Sequence, residues 1–202
     1  MNKLLCFITT QQDNPEIVAE EALKGGTGMI QLRHKNASGH DLFTWALSIG
    51  KMCRRYGALF IVNDRLDIAL AAGADGVHLG QNDLPIDVAR KLLPSPAIIG
   101  CSVSSVHEAL DAQQKGADYI GLGHIFPTGS KQKENAPLGP EYIRTVKQSV
   151  DIPLIAIGGI GLDNAREVMS NGADGLAVIS AISSAVNPAE AARELAIIIE
   201  QT

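Results

Sequence analysis

Aromatic residues, cysteines and long apolar runs are scarce in this 202-residue sequence. Phe, Trp and Tyr make up only 4% of the chain, whereas hydrophobic residues as a whole make up 46%, so the core is predicted to be aliphatic. No apolar stretch approaches the ~20 residues that a membrane-spanning helix needs, which argues against a membrane protein. The N-terminal apolar run, Leu4–Ile8, is too short for the core of a signal peptide.

The cysteines and the charge balance narrow the class of protein further. Cys6, Cys53 and Cys101 are widely spaced and odd in number, and no CxxC or Cys/His cluster accompanies them. Neither a zinc site nor a disulfide framework is therefore expected, and we predict a cytoplasmic protein. The 17 basic and 22 acidic residues give a formal charge of −5, which argues against binding to nucleic acid or to a membrane surface. A local basic pocket for a small polyanion is compatible with that charge.

Short apolar runs alternate with longer amphipathic segments along the whole chain. The runs are continuous rather than alternating in polarity, which is typical of parallel strands buried on both faces. The predicted strands are Leu4–Thr9, Met29–Leu32, Leu59–Val62, Gly76–Leu79, Ala97–Gly100, Tyr119–Leu122, Leu154–Ile157 and Leu176–Ile179. The predicted helices are Pro15–Lys24, Gly39–Arg55, Asp67–Ala72, Pro85–Leu92, Val106–Lys115, Pro140–Gln148, Leu162–Ser170 and Pro188–Glu200.

A repeated sequence at the joints between helix and strand favours a closed barrel over an open doubly wound sheet. Gly73-Ala74-Asp75, Gly116-Ala117-Asp118 and Gly172-Ala173-Asp174 each precede an apolar run, and Gly25-Gly26-Thr27 is a looser fourth copy. The first Gly of each copy is predicted to end a helix in the left-handed conformation. Repetition around the chain suits a rotationally repeating fold. We therefore predict an α/β protein with one domain over residues 1–202, a (β/α)8 TIM barrel.

Polar residues collect where the predicted strands end, which is the face of such a barrel that carries the chemistry. Arg33 and Lys35 follow the second strand and, as alternate residues of an extended segment, share a face. Two cations so placed can grip a diphosphate, Arg through its fork and Lys as a point charge. The alternative is a solvated basic loop.

Two carboxylates follow adjacent strands. Asp64 comes after the third strand and Asp83 after the fourth, so the two side chains are expected to approach each other. Paired carboxylates that leave most of the octahedral shell open are how proteins usually hold Mg²⁺ against a substrate phosphate. In the alternative interpretation, Asp64 caps the helix that begins near Leu66 and Asp83 is a turn residue before Leu84.

Two further segments suggest a phosphate monoester and a lid. Gly158-Gly159 and Ile179-Ser180 follow the last two strands, where barrels bind phosphate through backbone N–H groups. Glycines also make tight turns, which is the alternative. The long polar loop after Phe126, residues 127–137, is typical of a lid over a charged substrate or of a plain surface loop.

The ordered set of motifs resembles the thiamine-phosphate synthase family. The resemblance runs from the second strand to the last helix, and the whole set is far more specific than any one motif. The matching words include Gln31-Leu32-Arg33-x-Lys35, Asn63-Asp64-Arg65-x-Asp67, Gly80-Gln81-x-Asp83, Gly100-x-Ser102, Pro127-Thr128-x-Ser130-Lys131, Gly158-Gly159-Ile160 and Val178-Ile179-Ser180.

The resemblance implies a transferase that condenses hydroxymethylpyrimidine diphosphate with a thiazole phosphate, carboxylated or not. The products would be thiamine phosphate and diphosphate, formed by an Mg²⁺-assisted dissociative substitution. It implies that Arg33, Lys35, Asn63 and Lys131 bind the diphosphate and that Asp64 and Asp83 hold Mg²⁺. It further implies that Gln31 and Ser102 bind the aminopyrimidine, and that Thr128, Ser130, Gly159, Ile179 and Ser180 hold the thiazole phosphate.

Two histidines depart from the family pattern. His34 stands where the family commonly has an acidic residue, and its side chain is expected to point away from Arg33 and Lys35. His124 stands where Pro is frequent. A histidine at that place resembles the related thiazole tautomerase, in which it acts as acid and base. A tautomerase is therefore the alternative function, with a non-catalytic regulatory barrel as the third. The composition is also compatible with a homodimer.

Overall fold

Eight parallel strands close into a barrel in the order of the chain, and β8 pairs with β1. The computed structural model describes residues 4–11, 14–93, 95–129 and 135–202. The strands are β1 (Leu4–Ile8), β2 (Met29–Leu32), β3 (Leu59–Asn63), β4 (Gly76–Leu79), β5 (Ile98–Val103), β6 (Tyr119–Gly123), β7 (Leu154–Ile157) and β8 (Gly175–Val178). The predicted (β/α)8 barrel is confirmed, and the open sheet is wrong because β8 and β1 leave no edge.

Helices follow the strands on the outside of the barrel. They are α1 (Pro15–Lys24), α2 (Gly39–Tyr56), α3 (Leu66–Ala72), α4 (Ile86–Leu92), α5 (Val106–Gln114), α6 (Tyr142–Lys147), α7 (Ala165–Ser170), α8 (Ser180–Ser183) and α9 (Pro188–Gln201). None of the helices in the described ranges has the length and apolarity of a membrane span. The one-turn helix α8 was not predicted, since four residues carry too little periodicity to be recognised.

The strand boundaries agree with the prediction to within a few residues, and β5 shows the largest extension. It continues to Val103 because Ser102 and Val103 still pair with Gly121 and Leu122 of β6. The extension places Ser102 in the barrel wall beside Gly121 of β6. Conversely, α6 and α7 begin two or three residues later than predicted.

Two apolar clusters lie on the two sides of the sheet. The larger one joins the strands to the helices and is almost wholly aliphatic, as predicted. The smaller one contains strand residues alone and therefore fills the barrel interior. Tyr119 is its one aromatic member and is only 2% exposed. Its ring occupies space that Gly100 leaves free, since a Cβ at Gly100 would lie 2.1 Å from the ring.

The repeated glycines end helices as predicted in three of the four copies. Gly73, Gly116 and Gly172 have φ angles of 61°, 93° and 99°, in the left-handed region that glycine tolerates. The fourth copy is shifted by one residue. Gly25 is right-handed with φ −79°, and Gly26 takes the left-handed position with φ 93°. The prediction that the first glycine is left-handed is therefore wrong for Gly25.

The aspartates of the same repeat tie the base of the barrel together. Each carboxylate accepts a hydrogen bond from the backbone N–H of the neighbouring strand that precedes it in the chain. Asp75, Asp118 and Asp174 accept from Phe60, Ile99 and Leu154 respectively, each at 2.7 Å. The repeat thus reflects a structural device at the end of the barrel opposite the predicted site.

Removing one of these carboxylates should destabilise the fold without touching the predicted site. Asp118→Ala leaves the Ile99 N–H without its acceptor and Arg90 without its ion-pair partner. We expect a loss of about 2 kcal/mol in the free energy of unfolding, measured by urea denaturation. Asp111→Ala breaks only an exposed pair with Lys115 and should cost less than about 0.5 kcal/mol. Equal losses would contradict a special role for the repeat.

Candidate active site

A cavity of about 440 Å³ opens inside the barrel at the end where the strands terminate. Its walls mix apolar strand residues with polar side chains from β2 to β6 or the loops that follow these strands. The predicted site residues among those that line it are Gln31, Arg33, Asn63, Ser102, His124, Thr128 and Ile179. Side chains far apart in sequence are therefore brought to one place, as predicted from the strand ends.

Arg33 is held at the rim through its backbone. The hydroxyl of Thr9, at the end of β1, accepts a hydrogen bond from Arg33 N at 2.8 Å and donates one to Arg33 O at 3.1 Å. Thr9 is buried, so this pair of hydrogen bonds is shielded from water. Thr9 was not predicted as a site residue, because a lone threonine carries no motif. Arg33 is half-buried and lines the cavity, as a diphosphate ligand would.

The side chains of His34 and Lys35 point in different directions, as expected for adjacent residues of an extended segment. Lys35 is exposed, and its charge reaches Asp64, whose pKa it helps to lower. The His34 ring packs against Trp45 of α2, with the ring centroids 5.2 Å apart. His34 therefore contacts the helix layer, and its departure from the family pattern does not alter the cavity.

Asp64 has a backbone conformation that is uncommon for residues other than glycine. Its φ angle is 63°, a region that Asp and Asn tolerate better than most side chains do. Its N–H donates to His78 O of β4 at 2.8 Å, which fixes the end of β3 against the next strand. The N-cap of α3 is Arg65, and no side chain caps that helix. The alternative in which Asp64 is a helix cap is therefore wrong.

Asp83 has a structural contact as well as a place beside Asp64. One of its carboxylate oxygens accepts from Gly80 N at 2.7 Å, so the interpretation as a turn residue is correct. The two carboxyl groups are also hydrogen-bonded to each other. Burial in the first place, then the hydrogen bond and charge of Asp83, raise the pKa of Asp64 to about 6, against a smaller opposing effect of Lys35 and Arg33.

A divalent cation fits this pair of carboxylates. Two acids that are close enough to raise a pKa repel each other when both are ionised, and a cation between them would relieve the repulsion. Among the described residues there is no group of three or more His, Cys, Asp or Glu side chains that could form a closed metal site. Two carboxylates alone leave most of the shell to water and substrate, which is the arrangement that Mg²⁺ prefers.

The floor of the cavity carries a chain of polar side chains. His78 Nδ1 lies 2.9 Å from the Tyr119 hydroxyl, and His78 Nε2 lies 2.9 Å from Ser102 Oγ. Gln31, which is 3% exposed, hydrogen-bonds to Tyr119 from the other side. Gln81 supports the far end by donating to Ser102 O at 2.7 Å. Gln31 and Ser102 were predicted here, whereas Tyr119 was missed and His78 was interpreted as a core histidine.

The two glycines after β7 are required by packing. Gly158 and Gly159 have φ angles of 101° and 67°. A Cβ would lie 2.4 Å from His124 Cβ at the first position and 2.5 Å from Pro127 O at the second. Close packing thus explains both glycines, and the phosphate site at this place stays a prediction. Ile179 lines the cavity just before α8, and Ser180 is exposed at the first position of that helix.

The segment after β6 borders the cavity, although part of it lies outside the described residues. His124 is only 7% exposed and, like Thr128, lines the cavity. Asn135, which the sequence analysis did not single out, lines it too. Ser130 and Lys131, predicted to bind the thiazole phosphate and the diphosphate, lie outside the described residues.

The comparisons with known proteins agree with this geometry. Residues 5–182 match the family model described as thiamine monophosphate synthase. The chain is 58% identical over 197 residues to thiamine-phosphate synthase of Chlorobium limicola, covering 98% of this chain and 94% of that protein. It is 48% identical over 202 residues to that of Pyrococcus furiosus, covering 99% and 97%.

The chain belongs to the thiamine monophosphate synthase family. A solved structure of thiamine phosphate pyrophosphorylase from Pyrococcus furiosus is similar over 99% of this chain and 97% of that one. Its TM-score is 0.90 at 45% sequence identity. Since the relatives are named as synthases, the resemblance stated from the motifs is confirmed at the level of the family.

The raised pKa of Asp64 makes the stability of the metal-free protein depend on pH. A carboxyl whose pKa is higher in the folded than in the unfolded state destabilises the fold when ionised. Asp64→Asn should therefore stabilise the metal-free protein by about 1 kcal/mol above pH 6, after allowance for solvent screening. The gain should fade as the pH falls towards 4, and thermal unfolding between pH 4 and 8 would measure it.

Asp67→Asn is the matched control for this measurement. Asp67 lies three residues on, and its hydrogen bond with Arg65 lowers its pKa. Its removal should therefore weaken rather than strengthen the fold at neutral pH. A loss of stability in Asp64→Asn at pH 8 would contradict the proposed repulsion between Asp64 and Asp83.

Proposed function

We propose that this chain condenses hydroxymethylpyrimidine diphosphate with a thiazole phosphate to give thiamine phosphate and diphosphate. One observation carries the proposal: a cavity of substrate size ends at a rim where Arg33 and Asn63 stand beside the Asp64–Asp83 pair. Its volume falls within the range of small-molecule sites. The cations suit a polyanionic leaving group, and the polar floor suits a heterocycle.

The rim would bind the diphosphate. Arg33 offers a planar fork to its oxygens, Asn63 an amide, and Lys35 a second charge nearby. Lys131 is assigned to the same group by the resemblance. Asp64 and Asp83 would hold Mg²⁺, which when bound supplies positive charge to the departing diphosphate. Donors fixed in advance at the position where negative charge accumulates stabilise the transition state more than the substrate.

The interior would hold the two rings. Gln31 and Ser102 would bind the aminopyrimidine at the floor, and Thr128, Ser130, Gly159, Ile179 and Ser180 would hold the thiazole phosphate at the rim. The apolar walls Ile8, Ile155 and Ile157 exclude water. Exclusion of water matters because departure of the diphosphate leaves a pyrimidine methylene cation, which water would capture before the thiazole nitrogen does.

The testing experiment is incubation with pyrimidine diphosphate, thiazole phosphate and Mg²⁺, with assay of thiamine phosphate and diphosphate. We expect product in the wild type and its loss in excess chelator. Asp64→Asn, which tolerates the positive φ, should lower the rate at least about a hundredfold because it removes a proposed metal ligand. The exposed Asp67→Asn should retain full activity. Full activity of the wild type in chelator would exclude the metal role.

The tautomerase is the second candidate, and the burial of His124 beside the cavity is the observation that favours it. A tautomerase needs an imidazole that can take up and release a proton. Bond formation in the synthase moves no proton through this residue. We therefore expect His124→Gln to lower the condensation rate less than about tenfold, or ~1.4 kcal/mol. Rapid thiazole tautomerisation by the wild type that is lost in His124→Gln would favour the alternative.

Four properties stay predictions: a cytoplasmic location, a homodimer, the closure of the loop over residues 129–137, and the use of a carboxylated or uncarboxylated thiazole. The three cysteines are unpaired and buried, in keeping with the first. Exposed apolar side chains on α1 and α9, Ile17 and Ile197, are in keeping with the second.

A further inference from the structure

Four polar side chains on the cavity floor form one continuous chain of hydrogen bonds. It links Gln31 to Tyr119, Tyr119 to His78, and His78 to Ser102, and we call these four side chains the floor relay. Each member lines the cavity. The two at its ends are the groups that the proposed function assigns to the pyrimidine. The two in the middle have no role in the proposed chemistry.

The barrel interior is shaped around the two middle members. A Cβ at Gly100 would lie 2.1 Å from the Tyr119 ring, and a Cβ at Gly121 would lie 3.1 Å from the His78 ring. Glycines on two neighbouring strands, at interior positions where larger side chains would normally fill the space, therefore make room for this pair. The buried polar groups are costly unless they are satisfied, so their retention needs a reason.

A relay of this kind has a direction, since each hydroxyl has one hydrogen and a neutral imidazole has one N–H. The Gln31 side chain hydrogen-bonds to the Tyr119 phenol, and in one of the two possible directions its amide N–H donates to the phenolic oxygen. Burial in turn raises the pKa of Tyr119 well above its ordinary value, so the phenol stays protonated. Its single hydrogen then points to His78 Nδ1.

The direction continues to the other end. With Nδ1 accepting, the proton of the neutral imidazole lies on Nε2 and is donated to Ser102 Oγ. The hydroxyl hydrogen of Ser102 is then available to a ligand, as is the carbonyl oxygen of Gln31. In this direction the floor presents one acceptor and one donor. The reversed relay would present the opposite pair, a Gln31 donor and a Ser102 acceptor.

These two patterns distinguish two classes of pyrimidine. A 4-aminopyrimidine offers an exocyclic donor beside a ring-nitrogen acceptor, whereas a 4-oxopyrimidine offers an acceptor beside a ring N–H donor. We propose that Tyr119 and His78 are positioning residues that fix the direction of the floor relay and thereby select a 4-aminopyrimidine over its 4-oxo counterpart. This inference rests on the proposed function, because it takes the pyrimidine to bind at Gln31 and Ser102.

Binding of unreactive ligands tests the inference apart from the chemistry, since the amino group also stabilises the methylene cation. The probes are 4-amino-5-hydroxymethyl-2-methylpyrimidine monophosphate and its 4-oxo counterpart, titrated calorimetrically. We expect the wild type to bind the amino compound at least about a hundredfold more tightly, because a mispaired polar group is left buried. In Tyr119→Phe the preference should fall below about tenfold, since Gln31 and Ser102 can then reorient.

Two controls separate selectivity from structure. Ile61→Val trims an apolar side chain of the interior cluster that contains Tyr119 and should keep the wild-type preference. His78→Leu breaks the relay at its centre and serves if Tyr119→Phe does not fold, as judged by circular dichroism. Equal weakening of both ligands, with the preference unchanged in each relay variant that folds, would overturn the inference. So would a wild type without preference.

The condensation assay distinguishes failure of this inference from failure of the proposed function. If the wild type forms thiamine phosphate but the relay variants keep its ligand preference, the inference alone is wrong. If the wild type forms no product and binds neither pyrimidine, both the proposed function and the inference are wrong.

Discussion

Backbone pairing between β8 and β1 is the constraint on which the site depends. Leu4 to Phe7 of β1 pair in register with Gly175 to Val178 of β8, and this pairing turns an array of parallel strands into a closed ring. At the base of the barrel, β8 and β1 lie so close together that a Cβ at Gly175 would lie 2.4 Å from Leu4 O. Closure directs the ends of all eight strands to one rim. Residues that are separated by most of the chain can then share a single cavity.

Most of the fold could be predicted because its signals are local. Continuous apolar runs, proline at the start of α1 and α9, and glycines at the helix ends are all written in short stretches of sequence. The shift of the fourth repeat from Gly25 to Gly26 shows the limit of such signals. Thr27-Gly28 lacks the aspartate that marks the register in the other copies, so the sequence offers two adjacent glycines and nothing to choose between them.

The site was predictable where a residue's type and its place at a strand end both indicate chemistry. Asp64 and Asp83 satisfy both conditions, and they meet as expected. Thr9 lies at a strand end, but its residue type does not indicate chemistry. Tyr119 satisfies neither condition, since it is the first residue of β6. A threonine or tyrosine in an apolar strand is ordinary core sequence, and its partners come from strands 20 or more residues away. Their importance depends on contacts that exist only after the barrel has closed.

Asp64 combines two features that disfavour the folded state. A positive φ and an acidic neighbour both disfavour the folded protein, and the hydrogen bond from Asp64 N to His78 O holds the residue in place despite them. Packing of the aliphatic interior and the hydrogen bonds of the aspartates at the base of the barrel stabilise the fold and offset this cost. Among the described residues, Asp64 is the one non-glycine residue with a positive φ. A bound cation would relieve its repulsion with Asp83.

The cavity floor differs from the rim, because the four side chains of the floor relay include no carboxylate, lysine or arginine. Cys6 lines the cavity, and burial raises the pKa of its thiol to about 12. A thiolate at this position would be a strong nucleophile and would attack a pyrimidine methylene cation formed above it. Both ring nitrogens of His78 are likewise engaged, by Tyr119 and by Ser102. A site proposed to release a cation in its interior needs charge at the rim, where the diphosphate departs. It also needs a floor without a free nucleophile, so that the thiazole nitrogen is the group that captures the cation.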